Sequence, residues 1–129
     1  MLIVDASVLA PVLADAGADG TRFRSRVRGE QLAGPDLLRI EVTSVFRRQV
    51  VAGELRAADA ESALDDLLDL PLTVFPTSPF LTRAWELRGN LTVYDALYVA
   101  VAEAAGATLL TADGRLARAP GPRCVVEAI

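Results

Sequence analysis

At 129 residues the chain has the length of a single domain, and with 52% hydrophobic residues it can build one sizeable core and lies far from the composition of disorder. Its formal net charge of −4 argues against a general nucleic-acid coat, because such affinity comes from Lys and Arg neutralising phosphates. There is no His, all 13 basic residues are Arg, and Cys124 is the one cysteine, which excludes Ser–His and Cys–His dyads, Schiff-base and P-loop lysines, intrachain disulfides and cysteine zinc clusters.

Leu2 to Val4 predicts a short buried strand ending at Asp5, and Ala6 to Leu13 a helix with Asp5 or Ser7 near its start. Asp5 breaks the apolar start and no basic residue precedes it, so the start does not fit a signal peptide. No apolar run approaches the roughly 18 residues of a membrane span, and a cytosolic protein without membrane contact is expected. Gly17 and Gly20 should bracket a turn before a helix carrying Arg22, Arg24, Arg26 and Arg28. Leu32 to Pro35 reads as strand and turn, after which Asp36 should cap a helix from Leu37 to about Ala52, stopped by Gly53. A further helix is expected from about Ala57 to Leu70, a strand over Leu72 to Phe75, and a helix around Phe80 to Arg88 ending at Gly89. Val93 to Ala105 is helical and apolar nearly all round, the mark of a central buried helix, and Gly106 ends it. A strand over Ala107 to Leu110, a short turn or helix over Arg115 to Arg118, the Pro120-Gly121-Pro122 turn and a strand over Cys124 to Val126 complete the chain.

Short, apolar strands alternate with helices. That pattern predicts an α/β three-layer sandwich, a short and mostly parallel central sheet with helices on both faces, in one domain over residues 1–129. In such sheets ligands bind beyond the carboxyl ends of the strands. Asp5 follows the first strand, Asp113 lies just past the strand before it, Asp95 falls in the first turn of the buried helix, and Glu41 sits one turn into its helix. The helical neighbours of Glu41 are Leu37, Leu38, Ser44 and Val45, which puts the acid on or beside an apolar stripe where charge is costly unless paired or ligated.

Each acid also fits a structural role. Asp5 suits an N-cap, Thr92 to Asp95 a capping box, Asp113 a turn before Gly114, and Glu41 the edge of its stripe. The chemical reading rests on their conjunction at one end of a sheet. Two carboxylates about 6 Å apart repel by roughly 3 kcal/mol at an effective dielectric near 20. A divalent cation converts that repulsion into ligation and needs no protein base, which suits a chain without His.

Four stretches carry a family resemblance: Met1-Leu-Ile-Val-Asp-Ala-Ser-Val-Leu9, Leu38-Arg-Ile-Glu-Val-Thr-Ser-Val45, Arg88-Gly-Asn-Leu-Thr-Val-Tyr-Asp-Ala-Leu-Tyr-Val-Ala100, and Leu110-Thr-Ala-Asp113. In order and spacing they resemble the PIN-domain toxins of the VapC family over essentially the whole chain, most specifically in Asn90 to Tyr98. The resemblance implies a PIN-like sandwich and endoribonucleolytic cleavage with Mg²⁺ or Mn²⁺, usually of structured RNA such as tRNA or rRNA. It makes Asp5, Glu41, Asp95 and Asp113 the catalytic metal-site acids, with Ser7 and Thr111 as hydroxyls that steady them or hold a metal's water. It implies as partners an antitoxin whose C-terminal segment covers the active-site groove, and a second copy in a homodimer. Some branches carry a further acid one helical turn beyond Asp113, where Leu116 stands here, which leaves one metal or two open.

The four arginines from Arg22 to Arg28 spread around their helix and read as a solvated face, while Arg47, Arg48, Arg88 and Arg115 fall nearer the expected cleft. Phe75, Phe80 and Trp85 are expected in the core. Two other classes compete. A non-catalytic PIN scaffold binding RNA or protein should lack an acid, and none is missing. An aspartyl-phosphate enzyme wants a second acid two residues on or a lysine, whereas Ser7 follows Asp5 at that spacing and Lys is absent. A DNA-directed nuclease remains open, because nothing in the sequence shows recognition of a 2′-hydroxyl.

Overall fold

The computed structural model describes residues 1–129. The chain starts in the middle of its sheet: β1 (Leu2–Val4) is wholly buried and pairs in parallel with β2 (Leu32–Pro35) on one side and β4 (Thr108–Thr111) on the other. β3 (Thr73–Phe75) and β5 (Val126–Ala128) extend the two edges, also in parallel, giving the order β3-β2-β1-β4-β5. The central strands are the apolar, buried ones, and the edge strands are partly exposed.

The connections set the layers. α1 (Ala6–Ala14) and α2 (Ala18–Val27) join β1 to β2, and α3 (Leu38–Val51) and α4 (Ala57–Asp69) join β2 to β3. The chain then turns through a 3₁₀ segment (Ser78–Phe80), α5 (Leu81–Glu86) and α6 (Val93–Ala105), and crosses back over β2 and β1 to reach β4. α7 (Gly114–Arg118) leads to β5. Right-handed crossovers running in opposite directions along a sheet place their helices on opposite faces. α1 accordingly packs with α2, α3 and α4, while α6 packs with α5 and lies on β2, β1 and β4. This is the expected α/β sandwich with helices on both faces. No helix is long and apolar enough to cross a membrane.

α6 behaves as its composition requires. Every residue from Ala96 to Val101 and Ala102 is buried, and the helix stops where Gly106 takes a left-handed conformation at φ 60°. The crossovers run one way from β1 and the opposite way from β4, which makes the carboxyl ends of these two parallel strands the topological switch point, where open α/β sheets leave a crevice.

Asp36 does not cap α3: Leu37 holds that position without a side-chain bond, and the Asp36 N–H donates to the Phe75 carbonyl at 2.8 Å, prolonging the β2–β3 ladder. Gly20 lies inside α2, not in the turn before it, and its glycine is required by packing, since a Cβ there would overlap the Asp15 carbonyl. β4 runs one residue later than its apolar stretch, and β5 two residues later. Pairing rather than hydropathy sets these limits, with Leu109 opposite Val126 and Thr111 opposite Ala128. Trp85 is not core: its residue is 61% exposed on α5, and the Arg88 guanidinium stacks 4.5 Å from its ring centroid. Phe75 and Phe80 do pack against the core, edge to face. Two of the arginines read as a solvated face do structural work. Arg24 donates to the Val12 and Asp15 carbonyls at the end of α1, and Arg26 pairs in bidentate fashion with Glu127 of β5.

Candidate active site

The carboxylate of Asp5 leaves β1 at the switch point, and local chemistry fixes it there. As N-cap of α1 it takes the Ser7 and Val8 N–H groups on Oδ1, at 3.0 and 3.3 Å, together with the Ser7 hydroxyl. Its Oδ2 receives the Thr111 hydroxyl at 2.6 Å. The two hydroxyls are themselves committed: Ser7 Oγ accepts the Ala112 N–H at 2.9 Å and Thr111 Oγ1 the Asp113 N–H at 3.0 Å. Each single hydroxyl proton is thereby directed at Asp5, so both hydroxyls act to orient its carboxylate. The cap role and the site role of Asp5 coexist in one carboxylate, because Oδ2 keeps a lone pair that no donor uses. Thr111 is fully buried and ties β4 to β1 behind the site, whereas Ser7 is exposed at its rim.

Glu41 arrives from α3. Its Oε1 accepts the Tyr98 phenol at 2.8 Å, a bond that orients one oxygen and leaves the other unoccupied. Tyr98 is 2% exposed, and burial pushes its phenol up so that it stays a donor. Tyr98 is a site residue that the sequence pattern alone leaves without a role. The available signal was a phenol three residues past Asp95 on an apolar helix, since a buried tyrosine hydroxyl needs a partner. Asp95 comes from the first turn of α6, where its N–H donates to Thr92 Oγ1 at 3.1 Å. Its carboxylate does not return the bond to the Thr92 N–H, so the capping box is half made. Asp113 caps α7 by accepting the Arg115 N–H at 2.9 Å.

The structure brings all four acids to one place. Asp5, Glu41, Asp95 and Asp113 line a single open cleft of about 440 Å³, with Ser7, Ser44, Arg48 and Tyr98 among its other walls. Thr111 stands behind it. Leu116, about one helical turn beyond Asp113, is buried in the core. Burial pushes the carboxyls of Asp5, Glu41 and Asp95 above the usual range, against hydrogen bonds that favour their charged forms. Mutual repulsion adds to this, from Asp5 and Asp95 on Glu41 and from Asp113 on Asp95. Asp113 alone is held low, first by the Arg115 N–H.

The donor set fits a hard divalent cation. Its ligands are oxygens, three of its acids are disfavoured as bare anions, and Asp5 and Glu41 each keep an unused oxygen lone pair aimed from a fixed carboxylate. No three acids close into a ready-made cage. A Mg²⁺-like ion keeps several waters and binds through one or two carboxylates, so an open arrangement is the suitable one.

The molecule is a five-stranded parallel α/β sandwich with a four-carboxylate cleft at the switch point of its sheet. The PIN domain model matches residues 2–122, and the chain is 41% identical over 128 residues to ribonuclease VapC1 of Mycobacterium tuberculosis, covering 98% of this chain and 96% of that one. It therefore belongs to the PIN-domain family, among the VapC ribonuclease toxins. Solved structures of similar fold include VapC20 of M. tuberculosis, a Sarcin-Ricin loop cleaving toxin, with TM-score 0.72 at 16% identity over 92% of this chain and 94% of that one. A toxin–antitoxin complex from Klebsiella pneumoniae matches with TM-score 0.57 at 15% identity, covering 97% of this chain and 100% of that one.

Proposed function

We propose that the chain is a Mg²⁺- or Mn²⁺-dependent endoribonuclease, the toxin of a type II toxin–antitoxin module, hydrolysing phosphodiester bonds in structured RNA such as tRNA or rRNA. The observation that carries this reading is the convergence of Asp5, Glu41, Asp95 and Asp113 from four separate elements on one open cleft, in a chain with no Lys or His. The ribonuclease names of its relatives support the reaction, and the Sarcin-Ricin loop named for one structural neighbour supports an RNA of defined shape.

Bound at the cleft, Mg²⁺ or Mn²⁺ supplies the positive charge that activates water and stabilises charge building on the phosphodiester. The chain's own residues do the positioning. Ser7 and Thr111 lock the Asp5 carboxylate in one orientation, Tyr98 does the same for Glu41, and the α6 and α7 starts present Asp95 and Asp113 across the cleft. A cognate antitoxin is the expected protein partner, its C-terminal segment covering the groove; the Klebsiella complex of similar fold supports such a pairing. A homodimer is the proposed oligomer, and the exposed Leu81 and Trp85, one turn apart on α5, are apolar surface of the kind interfaces use.

Total RNA incubated with the purified protein tests the reading, with Mn²⁺ or Mg²⁺, with EDTA, and beside Asp5→Asn. Discrete fragments are expected only for the unsubstituted protein with metal. Intact RNA in every lane, or cleavage that persists in EDTA, would contradict it. Cleavage of single-stranded DNA alone would replace RNA with DNA as the substrate.

A further inference from the structure

Of the four arginines that sequence places near the cleft, the structure separates two from the others. Arg88 lies over Trp85 and donates to the Trp85 carbonyl, and Arg47 does not line the cleft. Arg48 does line it. It follows Glu41 by seven residues on α3, with Ser44 and Val45 between them on the same face, about 10 Å along the helix at 1.5 Å per residue. Its one side-chain hydrogen bond, at 3.3 Å, goes to Ser44 Oγ, and no salt bridge occupies its guanidinium.

Arg115 marks the opposite end. A second hollow of about 260 Å³, lined by Asn90, Thr92, Arg115 and Leu116, shares Asp95 and Asp113 with the acid cleft. The two hollows thus adjoin at Asp95 and Asp113, with Arg48 on the α3 side of the acids and Arg115 on the α7 side. The Arg115 side chain is 88% exposed and touches Asp113 at 3.5 Å, leaving most of its donors unused.

Charge explains why such a site needs cations on both sides. A polyanion cannot approach four carboxylates unopposed, and one divalent ion offsets half of their formal charge. Two arginines offset the rest. A guanidinium fork also matches the geometry of a phosphate better than a point charge does.

From this arrangement we infer that Arg48 and Arg115 bind the phosphates on either side of the scissile one, so that the RNA strand lies from α3 across the strand ends to α7. The inference rests on the proposed function and adds the path and the two residues that hold it.

Salt-dependent binding of a labelled single-stranded RNA of mixed sequence tests the path. Asp95→Asn serves as the background, to prevent cleavage, with Mn²⁺ present throughout. Adding Arg48→Gln or Arg115→Gln should each lower the slope of log affinity against log salt by roughly 0.7, the value of one phosphate contact on a single strand. Each should also weaken binding about tenfold or more, as loss of a charged hydrogen bond does. Arg48→Lys should restore the slope, because the slope counts charge, which a purely structural role would not do. Arg28→Gln is the control: Arg28 precedes β2, at the end of the sheet away from the cleft, and its removal should leave the slope unchanged. Slopes for Arg48→Gln and Arg115→Gln equal to that of Arg28→Gln would overturn the inference while leaving the ribonuclease reading intact, provided the unsubstituted protein cleaves RNA. Absence of both RNA binding and RNA cleavage would overturn both.

Discussion

Asp95→Asn should lower RNA cleavage by on the order of a thousandfold or more while leaving the fold intact. The activity loss follows from removing one of the cleft's charged oxygens, since a catalytic metal's charge stabilisation is worth several kcal/mol and each 1.36 kcal/mol is tenfold in rate. Retention of the fold follows from how little Asp95's side chain does elsewhere. The residue starts α6 through its backbone N–H to Thr92, which asparagine keeps, and its carboxylate forms no salt bridge. Asparagine also removes a carboxyl that burial and the nearby Asp113 both disfavour as an anion. The metal-free variant should therefore melt at or above the temperature of the unsubstituted protein. Asp5→Asn is less clean, because its new amide would face the Thr111 hydroxyl that now donates to Oδ2. Calorimetric melting in EDTA, paired with a cleavage assay in Mn²⁺, checks both halves. Retained cleavage would remove Asp95 from the site, and a large fall in melting temperature would make its role structural.

Metal should stabilise the protein strongly at neutral pH and weakly in mild acid. Asp5, Glu41 and Asp95 have folded carboxyls raised above their ordinary values of 3.8, 4.5 and 3.8. The folded chain thus holds protons there more tightly than the unfolded chain, and the corresponding stability is present in acid and lost as pH rises through the raised values. Without metal, then, these three acids favour the fold on moving down from neutral pH. The gain ends where Glu103 and Glu127, held low by Arg83 and Arg26, take up protons and their ion pairs fail. A divalent cation replaces the protons at neutral pH and competes with them in acid. At a hundred times its dissociation constant a ligand adds about 2.7 kcal/mol, which for a domain of this size is a rise on the order of 10 °C. Melting at pH 7 and pH 5 across a Mn²⁺ series measures it. No shift at millimolar metal, or an equal shift in Asp95→Asn, would count against an acidic metal site.

The acids were legible because their positions follow from two local signals, a short apolar run ending at Asp5 and a helix start carrying Asp95, together with a topological rule about strand ends. α6 was legible for a similar reason: a helix apolar on every side has nowhere to lie but across the sheet. What escaped was set by contacts distant in sequence. Asp36 looked like a cap, yet its N–H is claimed by Phe75 of the neighbouring strand. Trp85 looked like core by residue type, but α5 turns its Ala84 inward and its tryptophan out. Arg26 looked solvated until β5 delivered Glu127 to it from 101 residues away. The Tyr98–Glu41 bond joins α6 to α3 across the cleft, and no periodicity within either helix announces it. Arg48 could be placed near the site by sequence, but only the shared cleft distinguishes it from Arg47.

Crystals of the protein soaked in Mn²⁺ and recorded at the manganese edge would show whether the four acids hold a metal ion. An anomalous peak is expected inside the cleft, within about 2.1 Å of carboxylate oxygens from at least two of Asp5, Glu41, Asp95 and Asp113, the Mg²⁺-like ligand distance. Asp5 Oδ2, the oxygen with an unused lone pair, should be among them. A cleft without a peak at saturating Mn²⁺, in crystals whose protein cleaves RNA, would contradict a metal site at these acids.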